Sequence, residues 1–393
     1  MLTKTVSRSF IAAVFTSALL SFLKFNHCRL NNWVSPDNYI HACYTDIPAL
    51  FSERGLDTNT FPYLSATNSI EYPPIIGLGN WLISFITPNT NSHRWFFDIN
   101  VLLITILFFG CAVIVKKLQP EFTYLFLFAP AVIASLFINW DIWAVITALL
   151  AIYFFDQKKF EVSAIWLGVS IATKFFPIVL VLPIAVIFYR NKKILDLSRY
   201  LFTTFIIWAA FNLPIMFFHF DGWWRFYKLN LERSSDFGSI WYGLSLSNIN
   251  LPSLNLIYLL FSIGLFVAFT FYLIKLKKTP KLAHVALFAV VIFTTVGKVY
   301  SPQYVLWLTP LAVIALTNSK QQITFWFWQA TEIIYHLAIW QYLALFTGSH
   351  FGLPAGGYVI AIALRVVGIS CFTYVLMRDL SANSTGKLSA ISR

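Results

Sequence analysis

Charge is what this sequence has least of. Asp, Glu, Lys and Arg together make up 11% of its 393 residues, against 58% hydrophobic and 18% aromatic, and the mean hydropathy is +0.71. A chain so poor in charge is no ordinary soluble domain, and it repeatedly supplies runs near the ~20 residues that cross a hydrocarbon core. Acidic residues are the scarcer sign, 16 against 28 basic ones, for a net charge of +12. That excess does not mark a nucleic-acid binder, because the basic residues sit in short segments between apolar runs: Lys116-Lys117, Lys158-Lys159, Arg190 with Lys192-Lys193, Lys275 with Lys277-Lys278 and Lys281, Lys320, and Arg378. This is the pattern of cytoplasmic loops in a multi-pass membrane protein. Cysteine is scarce too, with four in all. No cysteine–histidine spacing matches a zinc site, so no metal or other cofactor is expected. Cys111 and Cys371 fall in apolar runs. Cys28 and Cys43 share the first loop expected outside the cytoplasm, where an oxidising compartment would allow a disulfide that spacing alone does not decide.

Apolar runs read against loop charge give an all-α polytopic membrane protein with about 12 crossings, near 10–24, 95–115, 121–138, 140–155, 160–173, 174–190, 199–217, 254–274, 282–297, 302–317, 323–340 and 354–377. The first follows Lys4 and Arg8 without a small-residue cleavage site after it, so it is expected to be retained, with both termini cytoplasmic. The run 74–87 is apolar but short, and counting it as a crossing would move every later basic loop to the wrong side. It is expected to be a re-entrant or interfacial helix opened by Pro73-Pro74. Residues 1–380 then form one transmembrane domain with long extracytoplasmic loops at 25–73 and 218–253, followed by a polar, disordered cytoplasmic tail over 381–393. Pro130, Pro177, Pro183, Pro214, Pro302 and Pro310 predict kinked or broken helices, which are tolerated where protein or a cavity satisfies the freed backbone groups.

Acidic residues gathered in the outer loops are the candidates for chemistry. Asp46 lies in a short amphipathic segment, Tyr44 to Leu56; its carboxylate can serve as a general base on an incoming hydroxyl, or it can cap a helix whose first turn holds Pro48. Glu71, in Glu71-Tyr72-Pro73-Pro74, is a possible second carboxylate or part of a helix start. Asp141, in Asn139-Trp140-Asp141, sits so close to hydrocarbon that it is either functional or a cap for the next helix. Lys174 and Lys298 stand at outer ends of apolar runs, against the positive-inside trend; they either hold an anionic lipid phosphate or snorkel to headgroups. Glu332, His336 and Arg365 fall within late runs, and Glu332 with Arg365 is expected to be a buried structural pair. Tryptophans and tyrosines at run ends fit the aromatic belt at headgroup depth, and a few could stack on a sugar.

Taken in order, Thr45-Asp46-Ile47, Arg54-Gly55-Leu56, Pro62-Tyr63, Glu71-Tyr72-Pro73-Pro74, Asn139-Trp140-Asp141, Lys174-Phe175-Phe176-Pro177 and Ser301-Pro302-Gln303-Tyr304 resemble the pattern of glycosyltransferase family 87. That family belongs to the glycosyltransferase C superfamily of polyprenol-phosphate-sugar-dependent enzymes. The resemblance implies a fold of that type and inverting transfer of mannose or arabinofuranose from a polyprenyl-phosphate donor to an envelope glycan or glycolipid acceptor, at the extracytoplasmic face of the cell membrane. Asp46 would be the base, and Gln303 and Tyr304 would contact the donor; positioning Lys174 and Lys298 for its phosphate rests on their own charge and outer location and is not part of the family's pattern. No metal is called for. Many relatives have a single proline where this chain has Pro73-Pro74, and a reduced acceptor-binding half is expected in so compact a chain. A transporter or flippase of a lipid-linked solute and a noncatalytic envelope-assembly scaffold are the competing readings; a transporter should show two matching halves, and none is visible.

Overall fold

The computed structural model describes residues 6–385, which contain helices and no β-strand. The first helix, α1, spans Arg8–Leu30, longer than the apolar run that announces it. Lys24 stays inside it because its ammonium donates to the Ala134 carbonyl at 2.6 Å. Cys28 is therefore a helical residue and not a loop residue. After it come two short helices, α2 (Asp37–Ile40) and α3 (Asp46–Glu53), then α4 (Pro74–Phe85), opened by a proline at its first position, where no intrahelical N–H is required.

The long α5 (Ser92–Leu118) leads into a broken passage. Where one crossing near 121–138 is expected, the chain forms α6 (Thr123–Leu127), an extended Ala129, and α7 (Pro130–Ser135). Pro130 cannot continue the preceding hydrogen-bond ladder. α8 (Asp141–Asp156) and α9 (Phe160–Thr173) form a close hairpin. The run after Lys174 begins as a 3-10 turn, Phe176–Leu180, around Pro177 before α10 (Val181–Arg190).

In α11 (Ile194–Phe218) Pro214 is absorbed within the helix. The second long loop is mostly helical, holding α12 (Phe220–Glu232) and α13 (Ile240–Leu246). α14 (Leu254–Lys275) and α15 (Leu282–Val296) follow, then a 3-10 turn at Pro302–Tyr304, α16 (Val305–Ala315), α17 (Gln321–Phe346) and α18 (Ala355–Thr385). Ser381–Thr385 continue α18 where a disordered tail is expected, because nothing interrupts the helix after Asp379. The rest of that expected tail, 386–393, and Lys4 lie outside the described residues.

Among the described residues five helices are long and apolar enough to cross a membrane: α1, α5, α11, α14 and α18. α5, α14 and α18 pack against an apolar interior of α8, α15 and α16, whose residues are buried on nearly every side. α11 and α14 by contrast expose their apolar side chains, with Phe217 74% and Phe218 83% accessible. An apolar surface that continuous belongs against lipid, since a water-facing protein rarely leaves such a patch open.

One ion pair is buried deep between the last two helices. Arg365 in α18 meets Glu332 in α17 at 2.8 Å, the pairing expected from sequence, and its other nitrogens donate to the carbonyls of Tyr300 and Ser301. Helix α18 thus holds the chain just before the Pro302 turn. His336 stands apart from that pair, accepting from the Trp340 indole at 3.0 Å.

Candidate active site

The chain breaks around 138–140, 174 and 299–304 meet at one end of the helix assembly, together with α3, the segment before α4 and the end of α12. They enclose a cavity of about 470 Å³. Irregular backbone inside an apolar bundle is stable only where its polar groups find partners or a wet cavity, and each break here does both.

Helix α3 is fastened to the first break through its start. Thr45, not Asp46, is the N-cap: its hydroxyl accepts from the Ile47 amide at 3.2 Å and donates to the Phe137 carbonyl at 2.8 Å. The Asp46 amide donates to the Ile138 carbonyl at 2.8 Å. With the cap supplied by Thr45, the Asp46 carboxylate is left to line the cavity. It accepts a long hydrogen bond from the Tyr72 hydroxyl, at 3.4 Å. Burial pushes its carboxyl from 3.8 up to about 6; a hydrogen bond from Tyr44 and the charge of Lys174 oppose the rise, and the nearby Asp141 adds to it.

Asp141 starts α8 completely buried, beneath the cavity and outside its lining. Its carboxylate pairs with Lys174 and accepts from the Trp307 indole at 2.8 Å, while its amide donates to the Asn139 side chain at 3.0 Å. Both alternatives at this position are thus partly met: Asn139 supplies the cap-like contact, and Asp141 supplies the counter-charge for a lysine. Lys174 reaches the cavity lining with that counter-charge already in place, between the rings of Tyr72 and Trp307, at 5.1 Å and 5.3 Å from their centroids. Trp307 also stacks on Phe176 at 3.9 Å and on Tyr304 at 3.8 Å. This aromatic pile joins Lys174-Phe175-Phe176-Pro177 to Ser301-Pro302-Gln303-Tyr304 and sets Gln303 and Tyr304 into the cavity wall.

Glu71 also lines the cavity, clamped by two arginines: Arg54 donates to it at 2.7 Å and Arg225 at 3.0 Å. A carboxylate so occupied is a hinge pin and not a free base. Arg225 additionally donates to the Ser69 carbonyl, fixing α12 to the strap before α4. Gly222 lies where the strap crosses α12, and a Cβ there would collide with the Tyr63 carbonyl.

Lys298 takes a different place from the one its sequence position implies. Its ammonium donates to the Leu231 carbonyl at 3.1 Å and the Asn255 side chain at 2.8 Å, and the residue is not part of the cavity lining. Its backbone carbonyl accepts from the Asp236 amide at 2.8 Å. The turn after Asp236 needs Gly238, which has φ +78° and packs against the Tyr300 carbonyl and the Tyr335 hydroxyl. The lysine therefore ties α12 and α14 to the third break.

Several lining residues carry no sequence signal of their own. Arg233 and Asp236 enter from the end of α12, 3.7 Å apart. Tyr39, Tyr44 and Trp340 form an aromatic wall, with Tyr39–Tyr44 centroids at 5.4 Å and Tyr44–Trp340 at 5.5 Å. Arg54 was visible only as part of Arg54-Gly55-Leu56, where Gly55 (φ +69°) closes α3 in the left-handed conformation typical of helix ends.

Beside this wall, Cys28 and Cys43 are joined in a disulfide with a Cα–Cα separation of 5.9 Å. No family model matches the chain, and no curated protein matches it.

Proposed function

We propose that this protein is an integral membrane glycosyltransferase of the glycosyltransferase C type, moving a sugar from a polyprenyl-phosphate donor to a cell-envelope glycan or glycolipid. The observation that carries the reading is Asp46: a carboxylate relieved of capping duty, raised to about 6, in a cavity that also holds Lys174, Arg54 and Arg233. A base with a pKa just under neutral is ionised at work yet still takes a proton readily.

In this scheme the acceptor hydroxyl gives its proton to Asp46 as its oxygen attacks the anomeric carbon. The bond from that carbon to the phosphate oxygen breaks on the opposite face, so configuration inverts and polyprenyl phosphate leaves with the electron pair. Cationic side chains at the cavity offset the charge that grows on the phosphate. Lys174 fits this role only in part, since Asp141 already neutralises it; Arg54 and Arg233 also line the cavity, paired in turn with Glu71 and Asp236, and Lys298 is assigned no part in donor binding. The wall of Tyr39, Tyr44 and Trp340 suits the apolar face of a sugar ring. The reading takes the chain to make about 12 passages, several of them broken, with both termini cytoplasmic; the exposed apolar belt supports its place in the membrane, and the disulfide beside the cavity supports putting that cavity on the extracytoplasmic, oxidising side.

The test is transfer of labelled sugar from synthetic polyprenyl-phosphate mannose and polyprenyl-phosphate arabinofuranose by purified protein in nanodiscs, with a lipid extract as acceptor. Transfer by wild type from one donor, and none by Asp46→Asn that still binds that donor, is the expected result. Donor translocation across vesicles without transfer would move the function to a flippase.

A further inference from the structure

At the end of α1, among residues outside the cavity lining, three side chains converge that the proposed chemistry does not use. His27 Nε2 lies 2.9 Å from Asp37 Oδ2, and His41 Nδ1 lies 3.0 Å from Asp37 Oδ1. The ligand atoms of all three lie within 4.8 Å of one another. The two imidazole rings stack with centroids 3.7 Å apart, and the Asn31 amide reaches His27 Nε2 at 3.2 Å. We propose that His27, Asp37 and His41 bind a divalent first-row transition ion, zinc above all, which clips the end of α1 to α2.

Two imidazoles and one carboxylate are the ligand set of a borderline-soft ion, and three protein ligands leave a fourth position for water. A divalent cation accepts both ring nitrogens and a carboxylate oxygen together. The backbone that carries the ligands is held independently of any ion. Cys28, next to His27, is tied to Cys43, two residues beyond His41, by the disulfide. The Cys43 amide donates to the Asn38 carbonyl at 2.9 Å, the Asn38 side chain donates to the Trp33 carbonyl at 3.1 Å, and Arg29 pairs with Asp98 at 2.7 Å. With both nearby thiols oxidised, they do not compete as ligands. The three side chains are partly exposed, so an ion can enter from solvent. α2 also carries Tyr39 in the cavity wall, so a bound ion would brace that wall from behind.

The test is equilibrium dialysis of chelator-stripped protein in detergent, purified through a tag without histidine, against Zn²⁺, Mg²⁺ or Ca²⁺. Wild type is expected to bind one equivalent of zinc and to ignore magnesium and calcium. Zinc affinity should fall about tenfold or more in His41→Asn and in Asp37→Asn. His41 is exposed, so its variant should unfold at the wild-type temperature without metal, and it decides the matter alone if Asp37→Asn does not fold. Cobalt should give the visible absorption of a four-coordinate site in wild type and lose it in His41→Asn. Unchanged zinc affinity in His41→Asn, no zinc bound by wild type, or a preference for magnesium or calcium would each overturn the site.

Discussion

Replacing Asp46 by asparagine should make the protein more stable while abolishing its activity. Burial raises this carboxyl from 3.8 to about 6, about two units at roughly 1.4 kcal/mol each, or about 3 kcal/mol at most. The sign follows from linkage. The folded value lies above the unfolded one, so the stabilisation that comes with the neutral carboxyl is complete below about pH 4 and is lost as pH rises through about 6. At pH 7.5 wild type therefore carries an ionised, poorly solvated carboxylate that Asp46→Asn does not. Asparagine still offers an oxygen to Tyr72, so little else changes. Unfolding in nanodiscs or mixed micelles, followed from pH 4.5 to 7.5, should show the variant up to about 3 kcal/mol more stable at the upper end, with the gap closing toward the lower end. A variant equal to or weaker than wild type at pH 7.5, or a gap that ignores pH, would refute the argument. Such a conflict between stability and function is common where an active group is held in an unfavourable setting.

Removing Lys174 strands the fully buried Asp141, so Lys174→Ala should cost about 3–5 kcal/mol, and adding Asp141→Asn should restore much of it; a double-mutant cycle of unfolding energies measures the coupling. Wild-type stability in Lys174→Ala would mean that the lysine does not serve Asp141. Glu71→Gln should loosen both arginines at a cost of about 2 kcal/mol and open the strap 56–71 to limited proteolysis, which is read as faster cleavage there. Arg365→Met should leave Glu332 buried and unpaired, with a loss of about 3–5 kcal/mol, whereas Glu332→Gln, which keeps an acceptor, should cost less; unfolding midpoints compare the two.

The all-helical, apolar character of the chain could be read from its apolar runs, but the internal form of those runs could not. Hydropathy treats 121–138, 174–190 and 302–317 as continuous, while Pro130, Pro177 and Pro302 start new turns there, and proline alone does not say whether a helix breaks or, as at Pro214, absorbs the ring. Nor did the extracytoplasmic loop expected over 218–253 announce its helices: α12 is amphipathic and lays Trp223 against α11. At the cavity the residues themselves were legible, but the contacts that decide their roles were not. Asp46 could be a base or a cap until Thr45 took the cap. Lys298 looked like a phosphate ligand until Asn255 and the Leu231 carbonyl turned it aside. Lys174 and Asp141 were each noticed, but their pairing spans two helices. The convergence of His27, Asp37 and His41 was not legible either, because it joins a helix end to a short loop helix.

The most direct measurement of the central claim is the single-turnover rate of sugar transfer from the active polyprenyl-phosphate donor as a function of pH, in wild type and in Asp46→Asn. If Asp46 is the base, the wild-type rate rises with pH, reaches half its plateau near pH 6 and stays level above pH 7, while the variant is inactive throughout with its donor affinity intact. A variant that transfers at the wild-type rate, or a wild-type rate with no inflection near pH 6, would contradict the assignment.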